Sequence, residues 1–132
     1  MIRSQKSQRR RTGARMGATV VEVAMTLPIV FLVFWGFWEW SRAEMIRQAA
    51  VTAAYEGSRR GILPGATVQD METIANDKLA PFSITGADIT SSIANNRASV
   101  EVSIPLDQNL WGSSRFFTGR NVVSSFALRL EE

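Results

Sequence analysis

Gly17-Ala18-Thr19-Val20-Val21-Glu22-Val23 opens an apolar run that continues through residues 24–40. How this stretch is read decides the architecture. As a helix, the 23 residues 18–40 reach roughly 34 Å, enough for a bilayer core of about 30 Å. The part without charge is shorter: 16 residues, 23–38, or roughly 24 Å of helix. Glu22 and Glu39 therefore have to lie near the two interfaces or be paired. Phe34, Trp35, Phe37, Trp38 and Trp40 gather at the far end, as in an interfacial aromatic belt. Pro28 and Gly36 are tolerated in a span whose backbone is otherwise internally bonded. The stretch is read as one transmembrane helix. The competing reading is a cleaved secretory signal, which also starts basic and continues apolar. Against it stand the length of the run and its ending, Trp38-Glu39-Trp40-Ser41-Arg42, where a signal cleavage site needs small residues.

On the N-terminal side, residues 1–17 carry Arg3, Lys6, Arg9, Arg10, Arg11 and Arg15 and no acid. With little to bury, residues 1–16 read as disordered. They form a basic leader, and the positive-inside rule keeps such a leader in the cytoplasm and exports the chain beyond the span. Arg9-Arg10-Arg11 lacks the interleaved aromatics or folded basic face of a nucleic-acid site, so no nucleic-acid partner is expected. From 41 onward the chain is balanced, with 9 basic and 10 acidic side chains. The net charge of +3 thus belongs to the tail. Cys and His are both absent, which removes disulfides, thiol chemistry, His acid–base work and the commonest zinc ligand sets. At 132 residues the chain has material for one small domain beyond the span.

Residues 41–60 keep a helical period, with Ala43, Ile46, Ala50, Ala53 and Gly57 on one face. The helix is expected to extend outward through them. Such small side chains admit a close neighbour, which is either this chain's own domain or another subunit; the sequence leaves both open. Gly61-Ile62-Leu63-Pro64-Gly65 ends the helix.

Residues 61–132 read as a small extracytoplasmic domain. Thr67-Val68-Gln69-Asp70 resembles a capping box with Asp in the usual Glu position, and it starts a helix with Val68, Met71, Ile74, Ala75 and Leu79 on one face. Pro81 closes that helix. Residues 89–93 form a weak strand, Asn95-Asn96 a turn, and 99–104 a strong strand with Val100, Val102 and Ile104 on one side. After a loop with Trp111-Gly112 and Gly119, residues 122–130 alternate again, placing Val122, Phe126, Leu128 and Leu130 together. The expected class is α+β: a long N-terminal transmembrane helix extending outward, then a short helix and an antiparallel sheet of about three strands. Its apolar faces are few, so the domain needs the long helix to complete its core.

Chemistry is sparse. The chain has no phosphate loop, no dinucleotide glycine fingerprint and no metal-ligand cluster. Asp70, Glu72 and Asp77 suit a solvated helix face, and Ser113-Ser114 has no base to activate it. Neither a catalytic residue, a cofactor nor a small-molecule substrate is expected.

Three segments together carry a family resemblance: Arg15-Met16-Gly17-Ala18-Thr19-Val20-Val21-Glu22-Val23-Ala24, Leu27-Pro28, and Trp38-Glu39-Trp40-Ser41-Arg42. With Glu56-Gly57-Ser58-Arg59-Arg60-Gly61 and the finish Phe126-Ala127-Leu128-Arg129-Leu130-Glu131, the chain resembles TadE-like pseudopilins. These belong to tight-adherence (Tad) pilus systems, a branch of type IV pilus machinery. The resemblance implies a minor structural component of the bacterial inner membrane. It also implies cutting after Gly17 by a membrane aspartyl prepilin peptidase, with Ala18 as the new N-terminus, and other Tad pilus or pseudopilin subunits as partners. Glu22, fifth in the processed chain, would then neutralise the Ala18 amine, its own or a neighbour's. Val23 stands where the family usually has Phe. On the residues alone, Glu22 also reads as a carboxylate snorkelling at the interface. The whole chain also reads as a membrane-tethered binding or sensor module.

Overall fold

The computed structural model describes residues 5–112 and 118–130, with side chains from residue 17 onward. Ser113-Ser114 lies outside the described residues. Among the described residues two helices and three strands succeed one another: α1 (Gln5–Gly61), α2 (Val68–Leu79), β1 (Asp88–Ala94), β2 (Arg97–Pro105) and β3 (Asn121–Arg129), with a 3-10 turn at Ala80–Phe82 after α2. The chain divides into two units, Met1–Trp38 and Glu39–Glu132. This is the α+β arrangement read from the sequence.

The first unit is helical throughout its described length. Gln5 onward is already in α1, where the sequence reading had a disordered leader. Arg, Gln and Lys are good helix formers, and propagating an existing helix backwards avoids the cost of a new nucleus. From Val20 to Trp38 the large apolar side chains of α1 are exposed on every side. A helix apolar all round belongs in a membrane or a large core, and this one is long and apolar enough to cross a bilayer once. Pro28 lies inside it.

The second unit holds the core. Here α1 changes character, and Ile46, Ala49, Ala50, Ala53, Ala54 and Ser58 are buried. The helix stops at Gly61, with Arg59 and Arg60 in its last turn, where cations complement the C-terminal end of the helix dipole. Leu63 N–H then donates to Arg60 O (3.2 Å) and Ala66 N–H to Leu63 O (3.1 Å), and Gly65 takes φ +77°. The capping box at α2 is complete. The Thr67 hydroxyl accepts from Asp70 N–H (3.2 Å) while Asp70 Oδ2 accepts from Thr67 N–H (3.0 Å), satisfying two helix-start donors reciprocally. Met71, Ala75 and Leu79 turn inward, and Val68 stays exposed.

The sheet is an antiparallel meander in the order β1-β2-β3. Asn95 and Asn96 adopt φ 53° and 59° between the paired ends Ala94 and Arg97. Asn accepts this left-handed region better than most residues, and two such residues in a row match the twist of a two-residue hairpin. Central strand β2 buries Ala98, Val100, Val102 and Ile104 and alternates as its sequence predicts. On β3 the inward set includes Val122, packed on the core, and Phe126, which faces Val100 across the strands and meets the Tyr55 ring edge-on at 5.6 Å. Small residues let α1 approach the sheet. A Cβ on Gly61 would stand 2.6 Å from Ala98 Cβ, and one on Gly57 3.1 Å from Val100 Cγ2.

Candidate functional site

The sequence-predicted residues fall in two places on α1. Gly17, Ala18 and Glu22 lie on exposed helix at the start of the apolar segment. Ala18 and Glu22 are four residues apart, so they share a helix face. A side chain on Gly17 would meet nothing within 4 Å, so packing within this chain gives no reason for a glycine there. One turn further on, the Thr26 hydroxyl lies 3.0 Å from Glu22 O and 3.1 Å from Val23 O. It occupies the backbone acceptors and leaves the Glu22 carboxylate outward. Among the described residues that carboxylate has no hydrogen-bond or ion-pair partner.

Ala43, Ile46, Ala50, Ala53 and Gly57 lie in the second unit. Ile46, Ala50 and Ala53 are buried in the core, Ala43 packs against it, and Gly57 faces Met71 and Val100. Of the two readings left open for this stripe, the structure has it packed on the chain's own domain. The stripe is also wider than its sequence period suggested. Ala49, Ala54 and Ser58 are buried beside it, and the Ser58 hydroxyl, a single donor, has two carbonyl acceptors within reach, Ala54 O (2.8 Å) and Phe126 O (2.9 Å). Only the partner strand reveals that a serine is needed there.

Sequence reasoning missed a clasp at the first residue of the second unit. Glu39 is 8% exposed, and its Oε1 accepts from the backbone N–H groups of Trp111 (3.2 Å) and Gly112 (2.7 Å). A buried carboxylate is costly unless donors converge on it; here the loop after β2 supplies them. One turn along, Arg42 Nη2 donates to Phe82 O (3.1 Å) at the end of the 3-10 turn. The requirement that Glu39 be paired or interfacial was legible from the sequence. Its partners, more than seventy residues away, were not.

The acidic group of α2 is structural at Asp70. The Thr67 backbone N–H, then the Thr67 hydroxyl and Arg60, hold its carboxyl below the usual aspartate value. Arg60 is 3.9 Å away with both side chains well exposed, so it adds little. On the outer sheet face, Thr90, Ser92, Ser99, Glu101 and Ser125 line a shallow open depression. Ser92 and Ser99 are hydrogen-bonded across the strands at 2.7 Å, an arrangement that offers neither an activated nucleophile nor an acid–base pair. Among the described residues, no group of His, Cys, Asp and Glu is arranged to hold a metal.

Neither the curated proteins nor the solved structures provide a match to this chain. The family model for TadE-like protein does match, over residues 17–59, which covers Gly17, Glu22, the exposed apolar helix and the Glu39 clasp residue. Over this helix, about a third of the chain, the sequence is similar to the TadE-like protein family.

Proposed function

We propose that this protein is a minor pseudopilin-like component of Tad (Flp-type) pilus assembly, processed between Gly17 and Ala18 and acting by helix and domain contacts. The family match implies a part in Tad pilus assembly. The finer role rests on one observation: Glu22 stands five residues after Gly17 at the start of an exposed apolar helix, its carboxylate unpartnered among the described residues. Cleavage would create an amine at Ala18, one turn from that carboxylate and on the same face. An ion pair near the membrane surface offsets the cost of both charges. The exposed position of Gly17, where packing asks for no glycine, supports a requirement imposed by a peptidase.

The six basic residues before the span favour a cytoplasmic leader in the bacterial inner membrane and an exported α+β domain. Processing is read from the intact mass after co-expression with a prepilin peptidase. A product beginning at Ala18 is expected; a chain still beginning at Met1 overturns the proposal. Glu22→Ala is expected to insert normally and to lose co-purification with other Tad pilus subunits. Undiminished co-purification removes the role assigned to that carboxylate.

A further inference from the structure

Trp111 is 89% exposed, and its exposure does not come from a loose loop. Its neighbour Leu110 is buried in the core. Asn109 is buried too, with Nδ2 donating to Pro105 O (2.8 Å) and Thr85 O (2.9 Å) while Oδ1 accepts from Thr85 N–H (2.9 Å). Leu110 N–H donates to Leu106 O (3.0 Å), and Glu39 holds the amides of Trp111 and Gly112. A firmly held backbone thus presents a bare indole to its surroundings. Full exposure of so large a ring to water forfeits its burial energy.

The position of the clasp says what should cover that ring. Glu39 is the first residue after the charge-free stretch 23–38, so a loop bonded to its side chain lies where α1 leaves the bilayer. Trp40, the next residue, is 75% exposed. Indoles with an apolar body and one N–H donor favour the headgroup boundary, where one part is apolar and the other wet. We infer that Trp111, held by Glu39 and joined by Trp40, sits in the lipid–water interface, so that the domain is seated on the membrane through the loop after β2. Glu39 thereby becomes a positioning residue for a lipid contact. This inference rests on α1 crossing the membrane, and the test separates the two.

The full chain is reconstituted into phosphatidylcholine–phosphatidylglycerol vesicles with and without lipid carrying a nitroxide near the top of its acyl chain. Two single-tryptophan forms are compared: Trp35→Phe/Trp38→Phe/Trp40→Phe, which leaves Trp111, and Trp38→Phe/Trp40→Phe/Trp111→Phe, which leaves Trp35. Trp111 emission is expected to be blue-shifted from that of water and to lose roughly half or more of its intensity to the nitroxide, as an interfacial indole should. Trp35 should be quenched as well. Quenching of Trp35 with water-like, unquenched Trp111 overturns the seating and leaves the span intact. A blue-shifted Trp111 that the lipid label does not quench also overturns it, because protein then covers the ring. If neither tryptophan is quenched, the membrane crossing fails and the inference fails with it.

Discussion

Glu39→Ala removes the acceptor that two backbone N–H groups share, Trp111 N at 3.2 Å and Gly112 N at 2.7 Å. A hydrogen bond to a charged group contributes about 1.5–3 kcal/mol, so the pair sets a ceiling of about 3–6 kcal/mol. The longer bond is the weaker, and Trp111 and Gly112 are both exposed, so water can reach the released amides. The expected loss is therefore about 2 kcal/mol, below that ceiling. Domains of about 60–100 residues lose about 4–8 °C per kcal/mol, which places the fall in Tm at roughly 8–16 °C. Glu39→Gln keeps an oxygen acceptor without its charge. Neutral bonds contribute about 0.5–1.5 kcal/mol, so this variant should lose less than the alanine form. The assay is thermal unfolding of the full chain in detergent, followed by near-ultraviolet circular dichroism. Hydrogen exchange at Trp111 and Gly112 is measured alongside. An unchanged Tm for Glu39→Ala with both amides still protected would refute the clasp. Equal losses for Ala and Gln would refute the assignment of its strength to two bonds from one oxygen.

Gly61→Ala puts a methyl 2.6 Å from Ala98 Cβ and 2.7 Å from Met71 Sδ. Met71 can bend away but Ala98 cannot, so overpacking of about 1–3 kcal/mol should outweigh the gain of about 1 kcal/mol in helix propensity. Gly57→Ala, whose nearest contacts are at 3.1 Å, should cost less, and denaturant midpoints that reverse this order would contradict the packing described. Thr67→Ala removes the hydroxyl that accepts from Asp70 N–H, leaving the backbone half of the capping box, and should cost about 0.5–2 kcal/mol, read from the same midpoints. Asp70 makes stability depend on pH. Its carboxyl is held below the ordinary value in the fold, so its contribution is complete above the unfolded value of about 3.9 and is lost as pH falls through the folded one. The drop in stability between neutral and acid pH should be smaller in Asp70→Asn, and an unchanged drop would show that the cap does not bind its proton differently on folding.

Sequence made the fold legible wherever the signal is local. Val100, Val102 and Ile104 alternate because one sheet face is buried, Asn95-Asn96 tolerate the left-handed turn, and Thr67 and Asp70 cap a helix three residues apart. Each of those signals is contained within a few residues. Strand ends differ from the reading by a residue or two, at Asp88 and Arg97 for example, because antiparallel pairing extends until the turn intervenes. Glu39 with Trp111, Ser58 with Phe126 O and Arg42 with Phe82 O each join residues forty or more positions apart, a separation that no local period encodes. The proposed processing site is the opposite case. Gly17 and Glu22 are meaningful through spacing alone, and the fold adds that packing does not require the glycine.

The two regimes of α1 have a consequence for assembly. Large apolar side chains surround it up to Trp38, whereas after Glu39 its inward face is mostly alanine, with Gly57, Ser58 and Gly61 at the end. Small faces of this kind are what close helix pairs use in membranes, and on sequence alone the stripe suits a neighbouring subunit equally well. In the fold it is already occupied by β2, α2 and the Ser58 bond to β3. A second helix could reach Ala50 or Ala53 only by unpacking a core whose apolar faces are few, and a domain this small has little stability to spare. Contacts that leave the domain folded are therefore made outside this stripe, on surface that is already exposed, such as the apolar helix through Trp38 with Glu22 at its start. Substitutions in the Ala43–Gly57 stripe should then report on folding, and substitutions at Glu22 on association.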